Sequence, residues 1–241
     1  MTDDPAIRDG QNVAVVHEQL RRAILHGEIP PGQATSQIVL ARELGAGRTP
    51  LREALRMLQH EGLVVSEPNR RVRIAELSLA DAEELYVTRI ALEAVATRIT
   101  VPQLNPEDIA ELEGLMAQMD HLAEIGSAHL NAPHHAFHAR FVAGVGERPS
   151  ILIAQLFDHA ERYRRVYGAA APDHWKKRRS EHRAMLDAAK AGDPDATADA
   201  LAIHYVRTAK IVVSELDPAH KLDKLRTTVA TVAPGAIAEF D

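Results

Sequence analysis

The 241-residue chain contains no cysteine. Disulfides, thiol nucleophiles, cysteine-ligated zinc and iron–sulfur clusters are therefore excluded. Aromatic residues are only 4% of the chain, so a core must be built from Leu, Ile, Val and Ala. No run of about 18 apolar residues occurs, and no transmembrane helix is expected. The opening MTDDPAIRDG is acidic and polar and lacks the apolar stretch of a signal peptide. A cytoplasmic chain in a reducing compartment is expected. With 46% apolar and 26% charged residues, disorder over the whole chain is excluded.

Lysine is absent before Lys176, so every earlier basic residue is an arginine. The formal net charge is −6 and is unevenly spread. Residues 42–73 hold seven arginines against four acids, whereas residues 76–241 are strongly acidic. Net charge reports on partners rather than fold, and a basic head on an acidic body points to a nucleic-acid partner for the head.

The hydrophobic spacing gives a mainly α fold in two parts. Val13, Val16, Leu20, Ala23 and Ile24 recur at helical spacing up to Gly27, before Pro30-Pro31-Gly32. A short second helix carries Ile38, Leu40, Ala41 and Leu44, with Thr35 or Ser36 as its cap. A third begins near Pro50, which suits a first helical turn, and buries Leu51, Ala54, Leu55 and Leu58. Arg48, Thr49, Arg52 and Arg56 are left facing outward. Leu63–Glu67 and Arg71–Ala75 then alternate as two strands around Pro68-Asn69-Arg70. This predicts a winged helix-turn-helix over 1–76. From Ser78, with Asp81 as a capping-box partner, the pattern is helical throughout, with spans at about 78–100, 106–125, 132–145, 150–167, 173–191 and 194–216. An all-α domain over 77–218 is expected, followed by a C-terminal tail over 219–241 in which Lys221–Thr228 suits a helix and Ala233-Pro234-Gly235 onward is loose.

A short helix, a tight turn and a helix with outward Arg and Thr is the layout that presents side chains to base edges in the major groove. Arginine suits the task because its planar fork matches guanine O6 and N7 or a phosphate. The same residues also suit a merely solvated helix face. The run PPG…LARELGAGRTPLREALRMLQHEGLV…PNRRVRI, residues 30–74, resembles the winged helix-turn-helix of the GntR family of bacterial transcription regulators. The Arg-Thr-Pro-x-Arg-Glu-Ala-Leu element (48–55) and the Glu-Gly-Leu-Val element (61–64) carry the likeness. The resemblance implies operator contacts by Arg48, Thr49 and Arg52, and minor-groove contact by the wing tip at Arg70 and Arg71. Three departures stand out: Gly47 where relatives cap the recognition helix with Ser or Thr, Arg71 where they have glycine, and Ile38 where they often carry another arginine.

Eight of the 13 histidines fall between 129 and 204. His134 and His138 are i, i+4 on one helix face, with His182 and His204 on two later helices. Imidazoles so placed can share one ion, and they suit Zn, Ni, Cu or Fe. They equally suit the core or surface of a bundle. Residues 78–216 resemble the FCD-type effector domain of the FadR-like branch of the same family. Tyr-x-x-Arg-x-x-Leu-Glu (86–93), Phe-His (137–138), Glu-His (181–182) and His204 fall where its motifs sit. The resemblance implies a divalent metal, zinc first and nickel or another transition metal next, at His134, His138, His182 and His204. Relatives have Asp where this chain has His134. Four neutral imidazoles leave the +2 charge uncompensated, which favours a carboxylate effector, and Arg89 is the expected second anchor for it or else a buried partner of Glu93.

Enzymes of the common kinds are not supported. His-His-Ala-Phe-His lacks the glutamate of H-E-x-x-H, and neither Glu-x-x-His, a phosphate loop nor G-x-G-x-x-G occurs. The expectation is a non-enzymatic homodimer that binds double-stranded operator DNA, a repressor tuned by a small organic acid, with no membrane partner. The alternative is a DNA-binding dimer without metal, its helical domain serving effector binding through arginines or dimerisation alone.

Overall fold

The computed structural model describes residues 12–67, 71–125, 130–167 and 172–241. The chain divides into two compact units, Met1–Leu77 and Ser78–Asp241. In the first, α1 (Val13–Leu25), α2 (Gln37–Glu43) and α3 (Arg48–His60) surround one core. Val16, Leu20 and Ile24 of α1 stack one turn apart against Leu51, Ala54, Leu55 and Leu58 of α3, with Leu40 between them. The sheet has three strands rather than two: β1 (Ala34–Ser36), β2 (Val64–Glu67) and β3 (Arg71–Ile74), in the order β1-β3-β2. Both pairings are antiparallel, Ala34 lying opposite Arg73 and Val64 opposite Ile74. Three residues are too short a run for β1 to show an alternation. Its Ser36 also caps α2, accepting from the Val39 amide at 3.2 Å.

Two glycines shape the reading head. Gly45 and Gly62 have φ of 61° and 74°, a conformation that costs glycine nothing. At the first, the Gly45 amide donates to Arg42 O and Ala46 to Ala41 O. At the second, Gly62 donates to Gln59 O and Leu63 to Leu58 O. Both are Schellman ends that satisfy the last helical carbonyls while turning the chain sharply. Gly45 thus sets α3 against α2, and Gly62 sends the chain directly into the wing.

The second unit is helical: α4 (Leu79–Thr100), α5 (Pro106–Ile125), α6 (Asn131–Arg140), α7 (Glu147–Val166), α8 (Pro172–Lys190), α9 (Pro194–Leu216) and α10 (Asp223–Val232). The Ser78 hydroxyl caps α4, accepting from the Asp81 amide at 3.2 Å. The reciprocal half of the expected box is replaced: Tyr163 donates to Asp81 Oδ2 at 2.5 Å and accepts from the Ser78 amide at 3.1 Å. Central α4 and α9 bury residues around most of their circumference. Pro149, expected as a separator, lies in the first turn of α7, where its missing N–H has no intrahelical partner to lose.

The stretch 219–241 carries the expected helix and is not loose after it. It forms α10 and a 3-10 segment, Pro234–Phe240, burying Leu225, Val229, Ala233 and Ala236. Leu225 and Val229 form one apolar helix face that docks on α4. Gly235 passes so close to α9 that a Cβ there would fall against the Asp199 carboxylate. The breaker signals of Ala233-Pro234-Gly235 hid the spacing of Ala233 and Ala236.

Candidate metal centre and DNA-reading surface

The α8–α9 corner positions half of the candidate metal centre. Gly192 (φ 67°) donates to Ala189 O, Asp193 to Ala188 O, and the Asp193 side chain then caps α9 through the Ala196 amide at 2.9 Å. This tight reversal runs α9 back along α8. His182, ten residues before Gly192, therefore stands level with His204, twelve residues after it. Their ring centroids are 4.5 Å apart. From α6, His134 and His138 meet the pair, with centroids 4.6 Å from each other and 5.2 and 5.0 Å from His182 and His204 respectively.

All four histidines are buried, and one ring nitrogen from each lies within 4.8 Å of the others. His134 Nε2 and His138 Nε2 are 3.2 Å apart, close to the roughly 3.3 Å between two ligands of a tetrahedral zinc with Zn–N of about 2.0–2.1 Å. Burial first, and then neighbouring positive groups, hold all four imidazoles well below the usual histidine range, His182 at about 3. Neutral imidazole is the form that binds metal.

The outer nitrogens are individually partnered. His182 Nδ1 donates to the Arg178 carbonyl at 3.0 Å, and His204 Nδ1 to Glu181 Oε2 at 2.8 Å. Each bond fixes the tautomer that leaves Nε2 unprotonated, as in metal-binding histidines generally. His182 Nε2 is buried and has no hydrogen-bond partner among the described residues. These groups fit a divalent transition metal. Glu181 is held in turn by Arg207 at 3.3 Å, and Arg207 by Glu239 at 2.7 Å, which ties the C-terminal 3-10 segment to His204 through two ion pairs.

His134 is set differently. Arg164 Nη1 lies 3.2 Å from its Nδ1, and a guanidinium can only donate. Nδ1 therefore accepts and Nε2 carries the proton, which it gives to His138 Nε2. His138 Nδ1 then donates to the Tyr205 hydroxyl at 3.3 Å, and Tyr205 donates to Glu93 Oε2 at 2.6 Å. The chain Arg164–His134–His138–Tyr205–Glu93 is complete without a metal. Glu161, 4.0 Å from His134 Nδ1, is the acceptor available if that nitrogen takes the proton.

Arg89 makes the buried pair with Glu93: its Nε donates to Oε1 at 2.7 Å, and its guanidinium carbon lies 4.0 Å from the Tyr205 ring centroid. His135 lies outside the cluster and packs on Phe157, 4.6 Å between centroids. It lines, with His138, Glu93, Val142, Ile153 and Phe157, a largely apolar cleft of about 300 Å³. Arg164, Arg178, Glu161 and Tyr205 escaped sequence reasoning. Glu181, beside His182, carried a sequence signal.

In the first unit, Arg48, Thr49 and Arg52 are exposed on the outer face of α3. Gly47 caps α3 without a side-chain hydrogen bond. Arg48 and Arg52 share with exposed Ile38 a cleft of about 260 Å³ between α2 and α3. Glu53 partners both Arg52, at 3.4 Å, and Arg56, at 3.2 Å. Arg71 is exposed at the start of β3, and Arg70 lies outside the described residues.

A winged helix-turn-helix followed by a helical unit with a buried histidine ring defines a regulator class. Residues 12–74 match the family model "Bacterial regulatory proteins, gntR family", and residues 84–207 match that of the FCD domain. The chain belongs to the GntR family, in the branch that carries an FCD domain, a family of transcription regulators rather than enzymes. It is 32% identical over 97 residues to an "Uncharacterized HTH-type transcriptional regulator YdhC" of Bacillus subtilis, a match spanning 40% of this chain but only 43% of that relative. It is 29% identical over 181 residues, 75% of this chain and 80% of the relative, to a "Probable D-xylose utilization operon transcriptional repressor" of Paenarthrobacter nicotinovorans. The structure of E. coli McbR/YncC shares the fold with a TM-score of 0.75 and 23% identity, covering 85% of this chain and 98% of that one. Among the described residues, no helix is long and apolar enough to cross a membrane.

Proposed function

We propose that the protein is a cytoplasmic, homodimeric repressor whose first unit, residues 1–76, binds operator DNA and whose helical unit, beginning at 77, binds a divalent metal and a small organic acid. The observation that carries this reading is the ring of four buried histidines with ligand atoms within 4.8 Å of one another. Zinc suits four imidazoles best, with nickel next. His134, His138, His182 and His204 hold the ion, which supplies a positive centre for an anionic effector. The cleft beside His138 gives such an acid its approach. In the head, Arg48, Thr49 and Arg52 face the major groove, and Arg70 and Arg71 the minor groove. Exposed Val95, Ile99, Ile151 and Leu152, beside the α4–α7 seam at Ala96 and Ile153, supply an apolar face for the second copy. Effector binding shifts operator affinity to the extent that the acid binds the DNA-bound and free states unequally, and the coupling is reciprocal.

The test is metal analysis of chelator-washed, untagged protein alongside His134→Ala and His182→Ala. About one equivalent of metal is expected in the parent after reloading, and a much reduced content in both variants with the fold retained. A parent that takes up no metal overturns the metal centre and favours the second reading. That reading rests on the complete hydrogen-bond chain from Arg164 to Glu93, and describes a metal-free DNA-binding dimer whose effector is held by arginines or whose helical unit only dimerises.

A further inference from the structure

The histidine ring does not exhaust the buried polar groups of the helical unit. On α8 the residue four before His182 is Arg178, and on α9 the residue four after His204 is Thr208. Because the two helices run in opposite directions, both steps lead the same way, one turn below the ring. The two side chains meet there: Arg178 Nη2 donates to the Thr208 hydroxyl, and also to the His204 carbonyl at 3.3 Å. Arg164 enters from α7 beside His134. From α4, Tyr86 is buried in the same unit with its hydroxyl unpartnered among the described residues, within the electrostatic reach of Arg164, Arg178 and Glu161.

This layer is short of acceptors. The Tyr86 side chain is wholly buried, and among the described residues its hydroxyl, Arg178 Nη1 and Arg164 Nε have no hydrogen-bond partner. Buried polar groups are rarely left so, because each orphan loses its hydration without recompense. The nearby carboxylates are already committed. Glu161 holds Arg164, while Glu181 is divided among His204, Arg178 and Arg207. Burial raises the Tyr86 pKa, which keeps the hydroxyl a donor. Buried Arg178 and half-buried Arg164 against the buried Glu161 and Glu181 balance in charge, so an ion on four neutral imidazoles would add charge that an incoming anion cancels.

We infer that Tyr86 and Arg178, with Arg164 beside them, form the anchor for the carboxylate of a small organic acid whose other end reaches the histidine ring. This rests on reading the helical unit as a receptor for such acids, and moves the anchor from Arg89, which is committed to Glu93. A carboxylate fits better than a neutral amide, because both of its oxygens accept, and a guanidinium edge matches it.

The test is calorimetric titration of the whole chain, metal-free and zinc-loaded, with acetate, lactate and succinate, and acetamide as the neutral control. Tyr86→Phe and Arg178→Gln are the variants. The parent is expected to bind at least one of the three acids and to ignore acetamide. Tyr86→Phe should weaken that acid about tenfold, the scale of a lost charge-assisted bond. Its zinc affinity should be unchanged and the melting temperature of the ligand-free protein unchanged or higher, since the hydroxyl has no bond there to lose. Arg178→Gln should abolish acid binding, and if it fails to fold Tyr86→Phe alone decides. Equal acid affinity in parent and Tyr86→Phe, or a lowered melting temperature in that variant, overturns this anchor while leaving the acid-receptor reading intact. A parent that binds none of the three acids overturns both.

Discussion

Arg52 illustrates what a single side chain contributes to the reading head. It is exposed on α3 beside Arg48 and Thr49, and among the described residues it pairs with Glu53 at a loose 3.4 Å. An exposed pair of that length contributes little to stability, so Arg52→Ala should leave the fold intact. If the guanidinium reads a base edge, the substitution should weaken specific operator binding by about 1–3 kcal/mol. Fluorescence anisotropy with specific and scrambled duplexes distinguishes this from a phosphate contact, which would weaken both alike and reduce the salt dependence. The outward face of α3 was legible because its buried stripe was: once Leu51, Ala54, Leu55 and Leu58 point inward, Arg48, Arg52 and Arg56 have one direction left. The histidine ring was half legible. His134 and His138 share a helix, but spacing alone could not show His182 and His204 converging on them, and the resemblance supplied that. Arg164 and Arg178 were invisible because their partners lie across helices, where no local period records them.

The last helix makes the corresponding case for an element. Leu225 and Val229 of α10 are fully buried against the central helices. Leu225→Ala should destabilise the helical unit by about 2–5 kcal/mol, as burial of a leucine in a packed core requires. Urea denaturation followed by circular dichroism measures it, and a cost below about 0.5 kcal/mol, typical of a surface position, would mean the helix is not docked. Elements were legible where period and stops agreed, as in α1, α3, α4 and α9. They were misjudged where a breaker outweighed the period. Pro149, placed between two helices, lies within the first turn of α7, and Ala233-Pro234-Gly235 leads into a docked 3-10 segment instead of a loose tail.

For the whole molecule, the four buried imidazoles link stability to pH. Each is neutral when folded, with its pKa depressed by burial, whereas in the unfolded chain each titrates near 6.5. Below that value the unfolded state binds more protons than the folded one, so stability falls with falling pH. Each imidazole contributes a slope on the order of 1 kcal/mol per pH unit until its own folded value is reached, about 3 for His182. Metal-free protein should therefore lose melting temperature steeply between pH 6.5 and about 4, and His182→Ala should flatten the slope. A pH-independent melting temperature over that range would mean the imidazoles are not buried neutral. The two units have separate cores, so the effect belongs to the helical one.

The link from Glu239 through Arg207 and Glu181 to His204 has a genetic consequence. A stop codon within the final stretch would delete Glu239 yet leave every residue of the reading head and all four histidines encoded. Arg207 would then turn fully upon Glu181, and the hold on His204 would change. On the reading of the helical unit as an acid receptor, such an allele should appear in a screen as a defect in the response to the acid with operator occupancy retained, although its lesion lies far from the codons of α3.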